Sequence, residues 1–412
     1  MKVLLSAFAC EPNVGSEPEV GWKWAVHLAA LGHEVCVLTR EDSRGAIEEE
    51  LARLPHPRPR FVYLDLALPA VLRATDGPWT QRVYYAFWQW RAALLAADLH
   101  AREGFERVHH VTYAGLRAPT FMGRLGIPFI LGPVGGGERA PWRLRSGYGP
   151  RGWLLDAIRD LANLAVRIDP LTQRSFAQAE KIYVTSPDSL RLLPAAHRCK
   201  AVIELAIGSD SDSAQAAEPD PPSRRADGAF RVLYVGQFLY LKGMHLGLPA
   251  FAELLKTVPE ARLTMIGDGP ERGRWQQLAE RLGIAARIDW LPWLRRTELT
   301  GFYRSHHVML FPSLHDPGGM VVLESMAQGL PVVCLDIGGP GVLVTTDCGR
   351  VIEAADTTQT EIVARLGEAL VELADENTRA PLVLGARWRA DEFCWKRKVA
   401  RIYEVTAEQR LA

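Results

Sequence analysis

The chain has 412 residues, 48% of them hydrophobic and 23% charged, a length that favours two domains. Its 48 basic and 48 acidic residues cancel, so global charge does not support a nucleic-acid-binding protein. No apolar run reaches about 18 residues, and we expect no membrane-spanning helix. The six cysteines form no CxxC pair or zinc-like cluster, so we expect buried free thiols in a reducing cytoplasm.

The amino-terminal half begins with a βαβ pattern. Residues 2–9 predict a strand, 10–17 a loop with Pro and Gly, 18–31 a helix that ends before Gly32, and 33–39 a second strand. Further strands are predicted at 60–64, 108–111, 128–131 and 181–185. This pattern predicts a Rossmann-like domain, in which ligands bind beyond the carboxyl ends of the strands.

The pattern then restarts after a linker-like stretch. Residues 208–228 are rich in Ser, Asp, Ala and Pro, which is typical of a linker or a surface loop. A strand at 230–235, a glycine-containing turn at 236–243 and a helix to about residue 258 follow. Strands at 262–266, 287–290, 308–311, 331–335 and 349–351 complete a second α/β unit. Two such sheets facing each other would enclose a cleft.

The strongest pattern lies at residues 308–335, VMLFPSLHDPGGMVVLESMAQGLPVVCL. Gly318 and Gly319 would let a ligand approach the backbone, and free amides where a helix begins near Met320 suit an anion such as diphosphate. Asp316 and Glu324 carry carboxylates that can accept hydrogen bonds from vicinal hydroxyls. The alternative is an ordinary helix start with acids near its positive end.

The segment resembles the donor-site signature of retaining glycosyltransferase family 4, whose fold is called GT-B. The resemblance implies that Glu324 binds the nucleotide ribose and that Asp316, where the family usually has Glu, faces the donor sugar. Residues 235–243, VGQFLYLKG, resemble the family motif whose Arg and Lys hold the donor diphosphate. Lys242 keeps the Lys, whereas Gln237 replaces the Arg. Residues 263–271, LTMIGDGPE, resemble a third family element.

Matches in the amino-terminal half are weaker. The loop Val14-Gly15-Ser16-Glu17 follows the first strand, and in the family this loop reaches donor phosphates or acceptor. The family often has a cleft-facing His at the end of the strand that here reads VHHV. Adjacent residues of a strand face opposite sides, so only one of His109 and His110 can face a cleft. Register favours His109, His110 stays open, and a structural role is the alternative for both.

Two further stretches concern the acceptor. GPVGGGERAP, residues 132–141, places Gly135, Gly136, Gly137 and Glu138 after a strand, where glycines allow close backbone approach; a flexible loop is the alternative. Arg and aromatic residues are interleaved at 79–99 and 139–153. These stretches would suit an anionic membrane surface that presents a lipid-linked acceptor, or they form a core helix and a basic loop.

The resemblance implies a GT-B protein with an amino-terminal domain at 1–207, a linker at 208–228, a donor domain at 229–386 and a last helix within 387–412 that packs back on the first domain. It implies a cytoplasmic retaining hexosyltransferase, peripheral to the inner membrane, that moves a sugar from a UDP- or GDP-sugar to a glycan or lipid-linked acceptor in cell-surface polysaccharide or glycoconjugate biosynthesis. No cofactor, metal or nucleic acid is expected.

The rivals are a nucleotide-sugar epimerase on the same fold and a non-catalytic sugar-nucleotide-binding subunit. An NAD-dependent oxidoreductase is disfavoured because no GxGxxG with a following acid occurs after either first strand. The implied donor-binding residues are Gly15, Gly236, Gln237, Lys242, Gly267, Asp316, Gly318, Gly319, Met320, Val321 and Glu324. The implied catalytic residues are Asp316, His109, His110 and Lys242. The implied acceptor-binding residues are Glu17, Gly135, Gly136, Gly137 and Glu138.

Overall fold

The computed structural model describes residues 1–66, 78–210 and 228–408. The chain divides into an amino-terminal unit of residues 1–137, 160–207 and 395–412 and a carboxyl-terminal unit of residues 138–159 and 208–394. The predicted boundaries therefore need correction, since 138–159 and 387–394 belong to the carboxyl-terminal unit. Most of the predicted linker, residues 211–227, lies outside the described residues, as do 409–412 of the predicted last segment.

The amino-terminal unit alternates strands and helices. Its strands are β1 (Lys2–Ala7), β2 (Glu34–Thr39), β3 (Arg60–Tyr63), β4 (Arg107–Thr112), β5 (Phe129–Val134), β6 (Lys181–Val184) and β7 (Ala201–Ile203). Its helices are α1 (Ser16–Ala30), α2 (Arg44–Arg53), α3 (Pro78–Glu103), α4 (Pro150–Ala165), α5 (Pro170–Gln178), α6 (Pro187–Leu192), α7 (Ala195–Arg198) and, at the chain end, α15 (Trp395–Glu408). The unit boundary at residue 160 falls within α4.

The strands pair in parallel in the order β3-β2-β1-β4-β5-β6-β7. Both faces are covered, so the strands are largely apolar and successive residues pack into different layers. Leu4 belongs to the layer under α3, whereas Val3 and Leu5 belong to the layer under α1 and α15. The predicted strands of this half are confirmed; β7, three partly exposed residues, was not predicted because its apolar pattern is too short.

Helix α15 packs on the amino-terminal unit through a buried polar anchor. Trp395 meets the ring of Trp24 edge-on at 6.0 Å. The side chain of Lys398 is fully buried, donates to the carbonyl oxygens of Leu205 and Ile207 and pairs with Glu204. A buried ammonium is tolerated where carbonyls and a carboxylate surround it. This anchor therefore fixes the start of α15 to residues 204–207 of the same unit.

The carboxyl-terminal unit repeats the pattern. Its strands are β8 (Arg231–Val235), β9 (Arg262–Ile266), β10 (Ile288–Leu291), β11 (Val308–Phe311), β12 (Val332–Leu335) and β13 (Gly349–Ile352). Its helices are α8 (Met244–Thr257), α9 (Arg272–Arg281), α10 (Arg296–Ser305), α11 (Met320–Ala327), α12 (Gly338–Leu343), α13 (Gln359–Ala374) and α14 (Glu376–Glu392).

This second sheet is also parallel, in the order β10-β9-β8-β11-β12-β13. The predicted strands of this half are confirmed within one residue or so at each end. The strand order reverses between β8 and β11, and in such sheets a ligand crevice forms beyond the carboxyl ends of the strands at that reversal. The same reversal lies between β1 and β4 in the other unit.

Candidate functional site

An ion pair lies at the strand-order reversal of the carboxyl-terminal unit. Lys242 ends a short 3₁₀ turn that follows β8, and Asp316 lies in the loop after β11. Their side chains meet with 2.6 Å between Lys242 Nζ and Asp316 Oδ2, and each is 16% exposed. The ammonium also lies 5.4 Å from the ring centroid of Phe311. Two residues from distant sequence motifs thus form one charged, solvent-accessible group.

Asp316 also organises the start of α11. Its Oδ1 accepts the amides of Gly318 at 3.2 Å and Gly319 at 2.7 Å. Burial acts to raise the pKa of Asp316, but Lys242 and these amides outweigh it and hold the pKa below its ordinary value. The site's own carboxylate thus occupies the amides of Gly318 and Gly319, and the predicted free amides of Met320 and Val321, the first helical residues, follow directly; the predicted donor contacts of all four residues stay predictions.

Glu324 projects from the partly exposed side of α11, which it shares with Met320 and Val321. Its Oε2 accepts the Tyr303 hydroxyl at 3.2 Å, and its Oε1 pairs with Arg296 Nε at 2.9 Å. The Glu324 side chain is 16% exposed. The predicted ribose ligand is therefore a carboxylate held in place by two side chains, and a bound hydroxyl would share its oxygens with them.

The glycines of the β8 and β9 loops have packing roles. Gly267 has φ 142°, and a Cβ there would lie 2.0 Å from the Gly236 carbonyl oxygen. The Gly236 amide in turn donates to the carbonyl oxygen of Ile266 at 3.0 Å. Gln237 is exposed, and its carbonyl oxygen accepts the buried Tyr234 hydroxyl at 3.2 Å. These contacts hold the two loops together, and the predicted donor contacts of Gly236, Gln237 and Gly267 stay predictions.

Residues 138–159 bring Glu138 and Arg159 to this unit. Glu138 is 1% exposed, its carbonyl oxygen is 3.3 Å from His315 Nδ1, and a Cβ on Gly338 would lie 3.1 Å from its Cγ. Arg159 is hydrogen-bonded to Tyr240, and burial followed by the charge of Arg159 lowers the pKa of His315 to about 3. The predicted acceptor residue Glu138 thus lies beside the Asp316 loop, and the charge of Arg159 acts on His315 of the same loop.

This segment is held to the carboxyl-terminal unit by several contacts. Tyr148 packs edge-on against Tyr240 at 4.7 Å, and His245 Nε2 is 2.9 Å from the Leu144 carbonyl oxygen. Within the segment itself, the buried Asp156 pairs with both Arg145 and Arg159. The contacts with Tyr240 and His245 explain why residues 138–159 belong to the carboxyl-terminal unit.

Gly15 and Glu17 lie at the strand-order reversal of the amino-terminal unit. Gly15 has φ 77° and precedes the first turn of α1, a conformation that favours glycine. A Glu17 carboxylate oxygen accepts the backbone amide of Tyr113, which follows β4 and has φ 52°. Glu17 therefore braces the loop after β4, and its predicted acceptor role stays a prediction.

His109 and His110 are both fully buried. His109 lies 2.8 Å from the Gly132 carbonyl oxygen and 3.1 Å from the Tyr403 hydroxyl. His110 lies on the other side of the sheet, 3.0 Å from Ser6 Oγ and 3.2 Å from the Tyr85 hydroxyl. Burial lowers the pKa of each to about 3, so both imidazoles are neutral near pH 7. The opposite orientation matches strand alternation; the predicted catalytic role stays a prediction.

The three consecutive glycines after β5 have distinct environments. Gly135 forms a parallel bridge with Gly115, and its amide donates to the Ala114 carbonyl oxygen at 3.0 Å. A Cβ on Gly137 would lie 2.5 Å from Ser189 Cα, whereas one on Gly136, at φ 93°, would meet nothing within 4 Å. Close packing therefore accounts for Gly137, backbone pairing engages Gly135, and a side chain would have room at Gly136.

Sequence reasoning missed Arg296, Tyr303, Arg159 and the turn at Gly338-Gly339. The turn was visible as a second glycine-rich run, IGGPG: a Cβ on Gly338 would lie 2.3 Å from the Asp316 carbonyl oxygen, and the Gly339 amide donates to it at 2.8 Å. The other three carry no motif, because only the fold brings them to the site. In the part of the chain that the structure describes, no group of three or more His, Cys, Asp and Glu could hold a metal ion, and no helix is long and apolar enough to cross a membrane.

Comparison with known families bears directly on this unit. Residues 217–379 match the family described as glycosyl transferases group 1. The chain carries a group 1 glycosyltransferase domain. Lys242, Asp316 and Glu324 all lie within that group 1 domain, as do Arg296 and Tyr303.

A D-inositol 3-phosphate glycosyltransferase from Acidothermus cellulolyticus is 33% identical to the chain over 272 residues, which cover 61% of the chain and 56% of that protein. The chain spans about half the length of the curated relatives it matches, with 56%, 40% and 50% of three of them covered. A relative that is 28% identical is covered over 91% of its length.

Solved structures resemble the whole described fold. The apo form of lipopolysaccharide outer core galactosyltransferase WaaB has a TM-score of 0.66 at 12% identity, covering 99% of this chain and 100% of that one. Anabaena Alr3699/HepE in complex with UDP has a TM-score of 0.62 at 16% identity, covering 99% and 100%. The group 1 domain and its amino-terminal partner therefore have the GT-B fold of two Rossmann-like parallel-sheet units, as predicted.

Proposed function

We propose that the protein transfers a sugar from a UDP- or GDP-sugar to a glycan or lipid-linked acceptor in cell-surface polysaccharide or glycoconjugate biosynthesis. The observation that carries the proposal is the Lys242–Asp316 pair at the strand-order reversal, within the matched group 1 domain. A similar fold has been solved with UDP bound, and another belongs to a lipopolysaccharide galactosyltransferase. We place the reaction at the cytoplasmic face of the inner membrane.

The diphosphate is the group that gains negative charge as the bond to the donor sugar breaks. We assign Lys242 and the amides of Met320 and Val321 to its oxygens, because a fixed cation and a helix start stabilise such charge without reorganisation. Arg159 is hydrogen-bonded to Tyr240, which begins the short turn that ends at Lys242. We assign Arg159 as the second cation of the site, because Gln237 supplies no charge.

The nucleotide and sugar are oriented by carboxylates. Glu324, positioned by Tyr303 and Arg296, accepts the ribose hydroxyls. Asp316, whose lowered pKa keeps it ionised near neutral pH, accepts hydroxyls of the donor sugar. Both roles need the charged acceptor form; Lys242 favours that form for Asp316, and Glu324 is paired with Arg296.

The transfer itself follows the retaining course, without a metal ion. The C1–O bond of the donor breaks and its electron pair passes to the β-phosphate oxygen. The acceptor oxygen bonds to C1 on the same face, and its proton passes to that phosphate oxygen. The chain's own residues bind and orient the donor and the acceptor, while Lys242 and Arg159 stabilise the leaving diphosphate.

The first test is calorimetric titration of the full chain with UDP-glucose, GDP-mannose and ADP-glucose. The proposal predicts saturable binding of a UDP- or GDP-sugar. Incubation of the bound donor with the protein alone, followed by NMR of the sugar, tests the rivals: interconversion of the sugar without acceptor would assign an epimerase. Donor binding with no sugar transferred to a cell-envelope lipid extract would assign a non-catalytic subunit.

A further inference from the structure

The amino-terminal unit exposes large apolar side chains on two neighbouring segments. On α3 they recur at helical spacing, and on the segment from the end of α4 to the start of α5 they continue over three turns. We call them the α3–α5 surface. Its members, between 44% and 81% exposed, are Val83, Phe87, Trp90, Leu94, Leu161, Leu164, Ile168 and Leu171. Contiguous exposed apolar groups on this scale mark an interaction surface.

The two segments lie side by side on one face of the seven-stranded sheet. Trp88 of α3 and Val166 belong to the same buried core layer. Thr120 joins the helices, because its hydroxyl donates to Gln89 of α3 at 2.9 Å and its carbonyl oxygen accepts Ser175 of α5 at 2.8 Å. The buried faces therefore share a core, and the apolar stripes lie on the outward faces of adjacent elements.

Positive charges outnumber negative ones on the α3–α5 surface. On α3, Arg82 and Arg91 are exposed, and between residues 82 and 97, all of them described, no acidic residue occurs. From residue 161 to 174, also fully described, Arg167 and Arg174 are exposed, and the one acid, Asp169, is half-buried with its carboxylate capping α5. The whole chain has equal numbers of acids and bases, so this is a local excess of positive charge.

We propose that the α3–α5 surface docks on an anionic lipid bilayer. An apolar stripe flanked by arginines matches such a bilayer, because the apolar side chains enter the acyl boundary while guanidinium groups stay at the phosphates. Trp90 suits the same depth, since its ring is apolar and its N–H stays near the headgroups. Binding needs neither donor nor acceptor, so it can fail or succeed independently of the proposed transfer reaction.

The experiment is co-sedimentation of the full-length protein with vesicles of phosphatidylcholine alone and of phosphatidylcholine mixed equally with phosphatidylglycerol. The wild-type protein is expected to bind the mixed vesicles and not to bind those of phosphatidylcholine alone, and high salt should weaken the binding. Equal binding to both, or to neither, would overturn the proposal.

Paired variants locate the surface. Leu161→Glu with Ile168→Glu, and separately Phe87→Glu with Leu94→Glu, should each reduce vesicle binding by at least about tenfold. The matched control is Leu384→Glu with Trp388→Glu on α14, whose side chains are 53% and 75% exposed; it should bind as wild type. Melting temperature and calorimetric donor affinity, unchanged in every variant, show that each chain is folded.

The competing occupant is a second copy of the chain. Light scattering of wild type after size-exclusion chromatography is expected to give a monomer. A dimer that the Leu161/Ile168 variant dissociates would assign the surface to self-association and contradict bilayer docking. Unchanged vesicle binding by that variant would contradict it as well.

Discussion

At its strand-order reversal the carboxyl-terminal unit pairs a lysine with a carboxylate at a solvent-accessible edge, whereas the amino-terminal unit buries two histidines there. Lys242 and Asp316 are each 16% exposed and paired, while His109 and His110 are fully buried, with pKa values lowered to about 3. Lys242 and Asp316 lie in the loops after β8 and β11, and the two histidines lie on β4, at equivalent reversals of the strand order. The shared fold therefore positions both, and local charge pairing decides which unit can hold a charged ligand.

The largest effect should come from Glu324→Ala, which removes the acceptor proposed for the ribose hydroxyls. Losing two charge-assisted hydrogen bonds, about 3 kcal/mol in all, predicts at least ~100-fold weaker donor binding by calorimetry. Glu368→Ala, on the exposed side of α13, should bind like wild type.

A matched variant separates ligand loss from structural loss. Tyr303→Phe removes the hydrogen bond to Glu324 but leaves the carboxylate and its pairing with Arg296. Its donor affinity should fall far less than that of Glu324→Ala. Equal affinity losses in the two variants would mean that Glu324 acts only by supporting the local structure.

The buried histidines predict a pH dependence of stability. A folded-state pKa of about 3 for His109 lies below the unfolded value of about 6.5, so the unfolded state binds the extra proton between these values. The free energy of unfolding should therefore fall as pH drops below about 6.5, by up to ~1.4 kcal/mol per pH unit for this residue. Urea unfolding of wild type and His109→Gln checks this, and the variant should show the shallower slope.

The same substitution tests the contrast between the units. His109→Gln should leave donor affinity unchanged, because the imidazole is buried among Trp24, Gly132 and Tyr403. Identical pH slopes in wild type and variant would contradict the neutral buried state. A large loss of donor affinity would instead support the catalytic role that the family resemblance implies.

The smallest effect concerns the second cation of the site. Arg159→Gln should weaken donor binding roughly fivefold, the effect of about 1 kcal/mol for a partly exposed charge. In this variant Asp156 retains its ion pair with Arg145, so the protein should remain folded. Arg151→Gln, on the exposed side of the same helix, is the control, and equal affinities in the two variants would remove Arg159 from the site.

Sequence patterns were sufficient for every strand except the short β7, because buried parallel strands are apolar runs bounded by glycine and polar residues. They also singled out Lys242, Asp316 and Glu324, which lie in contiguous motifs and whose donor-binding roles stay predictions. They could not show that Asp316 occupies the amides of Gly318 and Gly319, or that residues 138–159 pack on the carboxyl-terminal unit. The Asp316 contacts are local but depend on a side-chain orientation that the residue pattern does not specify. The packing of residues 138–159 depends on contacts between residues far apart in the chain, for which no local pattern exists.

The most direct test is a crystal structure of the full chain with the UDP- or GDP-sugar that binds in the calorimetric screen. The account predicts the diphosphate at Lys242 and the first turn of α11, the ribose hydroxyls on Glu324 and the donor sugar beside Asp316. A nucleotide bound away from all three residues, with the Lys242–Asp316 pair and Glu324 unchanged, would contradict it.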